Sequence, residues 1–157
     1  MDNKQFNAKK MTERKVKNIF INGPIAADFI GKSIQQHSSK KGIGGHSIFL
    51  GQVRADTIDG QQVAAIDYTC YEAMATEKMH EIREAIFAKY ELTCLHVYHS
   101  LGKVAAGEIS LFVFTSSVHR KAAMHACEEL VENIKSTLPI WGKELFDNET
   151  YQWKENK

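Results

Sequence analysis

The clearest feature of the hydrophobic pattern is one long amphipathic helix towards the C-terminal end of the chain. Between Ser116 and Glu144, apolar residues recur at steps of three and four, which places them on one face of a helix. Ser116 or Ser117 can accept hydrogen bonds from the first turn, and Pro139 ends the helix. The apolar face consists of Ala123, Cys127, Leu130, Val131, Ile134 and Leu138.

Three basic side chains lie on or beside this apolar face. At about 100° per residue, Arg120 falls inside the face, whereas His119 and Lys135 lie on its two margins. A charge on a buried face must be paired or must bind an anion. The helix is therefore predicted to contribute to an anion-binding site.

The remaining pattern predicts five strands and two further helices. Apolar residues on both faces of 109–114 indicate a strand that is covered on each side. Residues 56–60 and 100–107 are predicted as loops, and the chain after Trp141 as a polar tail. This order predicts an α+β domain with helices packed on a mixed sheet. The predicted strands are 16–21, 46–54, 63–71, 93–99 and 109–114, and the predicted helices are 25–36 and 72–90.

Composition and charge divide the chain into a basic N-terminal arm and one domain. Its 157 residues, 43% of them hydrophobic, are enough for a single packed core. Residues 1–17 carry six Lys/Arg against two Asp/Glu, so the other 140 carry fourteen against seventeen. We expect residues 1–16 to be a disordered arm and 17–157 to be the domain. The slight acidity of the domain argues against nucleic-acid binding, and no apolar run suits a signal peptide or a membrane span.

The cysteines and histidines predict neither disulfides nor a metal site. Cys70, Cys94 and Cys127 are odd in number and widely spaced, without a CxxC pair. The seven histidines are scattered and include no HExxH-like arrangement. We therefore expect a cytoplasmic protein with reduced, buried thiols and without a metal.

Three segments together resemble the large, catalytic subunit of molybdopterin synthase, the sulfur-inserting enzyme of molybdenum cofactor biosynthesis. They are GHSIFLGQVR at 45–54, YEAMATEKM at 71–79, and residues 117–144 with their SVHRxxA start and IKxxxPIWxKE end. Each segment alone is weak evidence, but all three in this order and at this spacing are specific. The resemblance covers residues 17–154.

The resemblance implies an α/β hammerhead fold and a defined assembly. Such subunits form a homodimer, and each also binds one small ubiquitin-like subunit, which gives a heterotetramer. The Gly-Gly tail of the small subunit carries a thiocarboxylate and enters a pocket of the large one. Sulfur then passes to cyclic pyranopterin monophosphate and produces the dithiolene of molybdopterin. No metal or organic cofactor is implied.

The resemblance also implies roles for individual residues. Lys135 matches the lysine that is central to catalysis. The family usually has a second lysine directly after Trp141, where this chain has Gly142. Either Lys143 takes over that catalytic role through a one-residue shift of the backbone, or the site works with one lysine fewer. The implied substrate-binding residues are Gln52, Val53, Arg54, His119, Arg120, Lys135, Lys143 and Glu144.

Positive charge is the chemical requirement of this reaction, because both the substrate phosphate and the thiocarboxylate are anions. Arg54 and Arg120 can hold a phosphate with paired hydrogen bonds. Lys135 and Lys143 are suited to stabilise a tetrahedral intermediate or to transfer protons, and a covalent lysine–acyl intermediate ranks below this electrostatic role.

The length of the helix separates two of these cations. Arg120 and Lys135 are fifteen residues apart, which is roughly 22 Å along the axis. A pterin monophosphate is too short to span that distance. We therefore expect a pocket at the interface of two copies, with Arg54, Lys135 and Lys143 from one and His119 and Arg120 from the other.

Other interpretations stay open at this point. The chain could be a non-catalytic module that holds a ubiquitin-like tail, if the absence of lysine after Trp141 has ended turnover. It could also be a homodimeric scaffold without a small-molecule site. Lys135 alone could be a solvated lysine whose charge suits a helix C-terminus. Lys154 or Lys157 could supply the basic tail residue that the family often has.

Overall fold

The computed structural model describes residues 18–156, so the predicted arm and Lys157 lie outside the described residues. Within 18–156 the chain forms eight strands and three α-helices. The strands are β1 (Phe20–Asn22), β2 (Gly45–Gln52), β3 (Thr57–Ile58), β4 (Gln61–Cys70), β5 (Cys94–Ala105), β6 (Ile109–Ser117), β7 (Ile140–Phe146) and β8 (Tyr151–Trp153), and the helices are α1 (Ala27–Gln36), α2 (Glu72–Lys89) and α3 (Arg120–Thr137).

The eight strands form one sheet. Its order is β2-β6-β5-β4-β7-β8, with β1 beside β5 and β3 beside β4. The β1–β5 pair is parallel, and the other pairs are antiparallel. The predicted α+β class with a mixed sheet is confirmed.

Helices cover both faces of the central strand β6, as its apolar pattern predicts. Leu111 and Val113 pack with residues of α2 and α3, such as Leu130. Phe112 and Phe114, which point the other way, pack with α1 and the residues before it. All four β6 side chains are fully buried. The sheet therefore has a face covered by α2 and α3 and a face covered by α1.

The long helix begins later than the sequence pattern suggests, because β6 continues to Ser117. His119 is the N-cap residue and makes no side-chain capping bond. Instead, the Ser117 hydroxyl accepts a hydrogen bond from the Ala123 N–H at 3.1 Å. Arg120 is exposed, so its predicted place on the buried face is wrong: it is the first residue of α3, before the buried part of the helix begins. The helix ends at Thr137, as predicted.

Two segments predicted as irregular form strands. Residues 100–107 largely continue β5, with a change of direction at Gly102, whose φ is +79°. The polar chain after Trp141 forms most of β7 and then β8. The end of β5 and the strand β7 pair with β4, in which Val104 lies opposite Ile66 and Gly142 lies opposite Tyr68, and β8 pairs with β7. Because such pairs are distant in sequence, a local pattern does not reveal them.

The helices and the cysteines of the described residues bear on the expected absence of a membrane span and of disulfides. Within residues 18–156, no helix is both long and apolar enough to cross a membrane. All three cysteines are free; Cys94 and Cys127 are buried, whereas Cys70 is partly exposed.

Candidate functional site

A cavity of about 940 Å³ lies beside the last turns of α3. We call it the lysine cavity and define it by Arg54, Lys135, Glu144 and Lys154, which are among the residues that line it. Arg54 follows β2, Lys135 is on α3, Glu144 is on β7 and Lys154 follows β8. The fold thus brings three predicted site residues together with a tail lysine.

A small cavity of about 30 Å³ adjoins the lysine cavity and shares Lys135 and Lys154 with it. The chain after β8 closes this region. The Lys154 N–H donates a hydrogen bond to the Gly142 carbonyl at 2.8 Å. The Asn156 side-chain amide donates one to the Lys135 carbonyl at 3.3 Å. The C-terminal residues therefore fold back onto α3 and β7 of the same chain.

The surroundings of Lys135 change its acid–base behaviour. Burial lowers the pKa of its ammonium group, and the nearby charge of Lys154 lowers that pKa further. Both effects disfavour a second positive charge in a partly dehydrated space. Lys135 therefore releases a proton more readily than an exposed lysine does, while the pair still presents positive charge to an anion.

His99 and Tyr68 form the buried side of the small cavity. Burial lowers the pKa of His99 to about 4, and the charge of Lys135 acts in the same direction. Its Nδ1 lies 2.7 Å from the Ser100 carbonyl oxygen, so Nδ1 carries the proton of the neutral ring. The His99 ring packs against the Tyr68 ring at a centroid distance of 5.1 Å. At neutral pH this side of the cavity is uncharged.

Tyr68 connects this region to Glu144. Burial raises the pKa of the Tyr68 hydroxyl, the Ser110 hydrogen bond opposes that rise, and the charge of Glu144 adds to it. The hydroxyl donates to Ser110 Oγ at 3.1 Å. Glu144 itself is buried, and Gln152 Nε2 lies 3.5 Å from its Oε1. The lysine cavity thus contains a buried carboxylate besides its three cations, and the carboxylates of Asp56, Glu132 and Glu155 also line it.

The predicted end of β2 is divided between the cavity and the core. Arg54 lines the lysine cavity, and its Nη2 forms an exposed ion pair with Asp56 at 3.2 Å. Val53 is 1% exposed and packs in the core, and its N–H and carbonyl bond to the Glu108 carbonyl and the Gly107 N–H. Gln52 is exposed at a β-bulge. Val53 therefore positions Arg54, and its own side chain does not face the cavity.

Lys143 lies on the opposite face of β7 from Gly142 and Glu144, because successive side chains on a strand alternate. Its ammonium group lies 4.3 Å from the centre of the Tyr151 ring and 5.1 Å from that of Trp153. No register shift occurs near this position of the β4–β7 pair. The geometry therefore does not favour the one-residue shift that would bring Lys143 to the place of Gly142.

His119 and Arg120 lie at the other end of α3 and are both exposed. Neither lines the lysine cavity of its own chain. Their predicted role depends on a second copy and stays a prediction.

His99 was not assigned to the site from the sequence, and Lys154 was named only as one of two candidates for the basic tail residue. In the sequence, Lys154 is one of several lysines near the C-terminus, and nothing there distinguishes it as a site residue. A histidine near the end of a strand, such as His99, has many ordinary explanations. Gly142 is the informative position, because it lines the small cavity beside Lys135 and Lys154 at the place where the family usually has a lysine.

Comparison with known proteins adds independent information. The family model described as MoaE protein matches residues 25–137. A molybdopterin synthase catalytic subunit from Drosophila grimshawi is 40% identical over 115 residues, which cover 72% of this chain and 32% of that protein. The corresponding protein of Oryza sativa subsp. indica is 40% identical over 114 residues, covering 73% and 58%. The chain thus spans less than two thirds of the length of these relatives.

Solved structures show the same fold. The crystal structure of molybdopterin synthase from Staphylococcus aureus matches with a TM-score of 0.77 and 27% identity, covering 91% of this chain and 99% of that one. A complex of subunits 1 and 2 of molybdopterin-converting factor from Helicobacter pylori matches with a TM-score of 0.74 and 24% identity, covering 88% and 90%. At that identity the second likeness concerns the fold alone.

Proposed function

The chain belongs to the MoaE protein family, and we propose that it acts as the catalytic subunit of a molybdopterin synthase. In this proposal it transfers sulfur from the C-terminal thiocarboxylate of a small ubiquitin-like subunit to cyclic pyranopterin monophosphate. The observation that carries the proposal is the lysine cavity, in which Lys135 and Lys154 share a partly buried space with Arg54.

The cations of the lysine cavity suit the two anionic reactants. Arg54 provides a planar guanidinium for the substrate phosphate at the exposed rim. Lys135 and Lys154 provide positive charge deeper in the cavity, where the carboxyl end of a partner tail would enter. Their mutual repulsion is relieved when an anion binds between them. The space between Lys135 and Lys154 is therefore the part of the cavity that favours negative charge.

The proposed chemistry has two stages for each sulfur. The thiocarboxylate sulfur attacks a substrate carbon, forming a C–S bond and a thioester with the tail, while a C–O bond at that carbon breaks and its oxygen leaves as water or stays on the phosphate. Water then adds to the acyl carbon, the acyl C–S bond breaks, and the tail leaves as a carboxylate while sulfur stays on the product. Lys135 stabilises the oxyanion of the tetrahedral intermediate and, because its pKa is lowered, exchanges a proton with the attacking water.

In this proposal the second catalytic lysine is Lys154 and not Lys143. It lines both cavities beside Lys135, whereas Lys143 lies over two aromatic rings on the far face of β7. Gly142 lines the small cavity together with Lys135 and Lys154. The site therefore keeps two lysines, one of them supplied by the C-terminal tail.

A homodimer is part of the proposal. β2 is an edge strand of the sheet, and its successive residues Ile48, Phe49 and Leu50 are large, apolar and 37–41% exposed. Such an edge is a natural surface for pairing with another copy. A second copy would also supply His119 and Arg120. The small subunit is likewise part of the proposal, which follows from the family of the chain, and a cytoplasmic location remains our expectation.

Reconstitution tests the function directly. The full chain is incubated with a thiocarboxylated ubiquitin-like partner and cyclic pyranopterin monophosphate, and the dithiolene product is measured. We expect Lys135→Ala to lower the rate by roughly 100-fold or more, and Lys154→Ala to lower it more than Lys143→Ala does. Lys121→Ala, an exposed lysine on the same helix, is the matched control.

Two outcomes would contradict this assignment. Tail and substrate binding without any product from the wild-type chain would indicate the non-catalytic module. If Lys143→Ala forms no product while Lys154→Ala forms product at the wild-type rate, the second catalytic lysine is Lys143.

A further inference from the structure

We propose that His37, Cys94 and His96 form a binding site for a borderline divalent cation of the Zn²⁺ type. One donor atom from each of the three residues lies within 4.8 Å of the others. Two imidazoles and one thiolate are a ligand set that zinc favours. This proposal replaces the expectation of a chain without a metal site, and it does not depend on sulfur transfer.

The fold assembles the three residues from two elements. Cys94 and His96 are two positions apart on β5, so their side chains point to the same face of the sheet. His96 lies opposite Phe114 of β6, on the face covered by α1. His37 follows the last residue of α1, and its ring centre lies 4.7 Å from that of Phe114. The end of α1 thus places an imidazole above the start of β5.

This site is separate from the lysine cavity. Ile48 of β2 lies opposite Phe114, and therefore on the same face as His96. The next residue, Phe49, points to the other face and lines the lysine cavity. The sheet therefore stands between the two sites.

The hydrogen bonds of His37 orient it as a metal ligand. Its Nδ1 lies 2.7 Å from the Ser33 carbonyl oxygen, which can only accept, so Nδ1 carries the proton. The lone pair is then on Nε2, which lies 3.0 Å from Nε2 of His96. A histidine held by a backbone carbonyl through its other nitrogen is the usual arrangement around protein-bound zinc.

The spacing of the two imidazole nitrogens is close to that of a zinc site, and Cys94 Sγ lies within 4.8 Å of the donor atoms of both histidines. Tetrahedral zinc with ordinary bond lengths separates two nitrogen ligands by roughly 3.3 Å and a nitrogen from a sulfur by roughly 3.6 Å. The two imidazoles therefore need to separate by only a few tenths of an ångström from 3.0 Å. When the ion binds, the proton shared by the Nε2 atoms of His37 and His96 moves to Nδ1 of His96. The Cys94 thiol loses its proton to solvent.

The surroundings provide a hydrogen-bond donor for the thiolate and access for an ion. Lys40 Nζ lies 2.9 Å from Cys94 Sγ and would donate to the metal-bound thiolate. His37 and Cys94 are buried, but His96 is partly exposed and lines a cavity of about 870 Å³. Of the three proposed ligands, His96 is the one that lines this cavity, so an ion would approach from the His96 side. A bound ion would fasten the end of α1 to β5.

Metal titration tests the site. The full chain is freed of metal with a chelator and titrated with Zn²⁺ in competition with a chromophoric chelator, and with Co²⁺ as a spectroscopic substitute. We expect one Zn²⁺ per chain and a thiolate-to-cobalt charge-transfer band. Cys94→Ser should remove the band, and Cys94→Ser and His37→Gln should each weaken Zn²⁺ binding at least about tenfold. Cys70→Ser, on β4, is the control and should keep both.

Circular dichroism and thermal unfolding of the metal-free variants show whether each is folded. His96→Gln serves as a third variant if Cys94→Ser does not fold. The proposal is overturned if folded Cys94→Ser binds Zn²⁺ as tightly as the wild type, or if the cobalt complex has no thiolate band. Several weak ions per chain, unchanged by these substitutions, would indicate adventitious binding to surface histidines and would also overturn it.

Discussion

Two lysines eight residues apart illustrate how surroundings decide the chemistry of a side chain. Lys135 is partly buried beside Lys154, and its pKa is lowered mainly by burial. Lys143 instead lies over the rings of Tyr151 and Trp153, whose electron-rich faces stabilise an ammonium ion. The lowered pKa of Lys135 suits it to proton transfer, whereas Lys143 contributes to the packing of β8 on β7.

The buried His99 predicts a pH dependence of stability. Its folded pKa, about 4, is below the ordinary value of 6.5, so between these values the unfolded chain binds a proton that the native chain does not. The stability that the neutral ring contributes is present above about pH 6.5 and is lost as the pH falls towards 4. From about pH 7 to about pH 5 we expect a loss of roughly 2 kcal/mol from this residue.

Urea unfolding at both pH values measures that loss. Because other groups also titrate, the relevant quantity is the difference between the wild type and His99→Gln, which cannot gain a proton. The loss of unfolding free energy between the two pH values should be smaller in His99→Gln than in the wild type by roughly 2 kcal/mol. An equal loss in both proteins would show that His99 is already protonated in the native state or is not buried.

At the scale of elements, β7 lies unusually close to β4 at one position. A Cβ atom added at Gly142 would lie 2.9 Å from Ile66 Cγ2 and 3.4 Å from Tyr68 Cε1. Ile66 and Tyr68 are both buried in the core, so neither can move freely. This contact explains why a lysine at position 142 would not fit the present packing of β4 without rearrangement.

Gly142→Ala should therefore lower the free energy of unfolding by about 1–3 kcal/mol, since overpacking displaces core side chains. The matched control is Gly31→Ala in α1, where an added Cβ meets no atom within 4 Å. That substitution should instead raise the free energy of unfolding by about 0.5–1 kcal/mol, because alanine favours the helix. Both values are measured by denaturant unfolding, and an unaltered stability of Gly142→Ala would disprove the close packing.

At the scale of the whole molecule, the two ends of α3 lie in different parts of the structure, and one of them borders the lysine cavity. The helix is continuous from Arg120 to Thr137, so Arg120 and Lys135 cannot meet within one copy. Lys135 lines the lysine cavity, whereas Arg120 is exposed. If both act on one substrate, the second cation comes from a partner copy, and the apolar β2 edge is the surface that would bring the partner close.

Subunit mixing tests this arrangement. Arg120→Ala and Lys135→Ala proteins are each expected to be weakly active as separate homodimers. After random exchange, half of the dimers are hybrids with one intact site of two, so we expect about a quarter of wild-type activity. Exchange is verified by mass-tagging one variant. Activity that stays at the mean of the two parents, with exchange complete, would place both residues in separate functions.

Much of the fold was predictable because its signals are local. The periodicity of α2 and α3 and the two-sided burial of β6 follow from the spacing of apolar residues. The strands β7 and β8 were not predictable, since their polar residues form a ladder only against β4 and each other. The prediction for Arg120 was wrong because a helical projection treats every residue as part of a helix packed on the core. Arg120 is the first residue of α3 and precedes the buried part of the helix.

The sequence by itself determined the α+β class, the helix that carries Lys135, and the resemblance that the MoaE family match then supported. Only the tertiary structure placed Lys154 beside Lys135, turned Lys143 to the far face of β7, and brought His37 to within 3.0 Å of His96. The physical reason is the range of the interactions. Helix periodicity is encoded within a few residues, whereas convergence of side chains across a sheet depends on strand register, which is set by packing of the whole core.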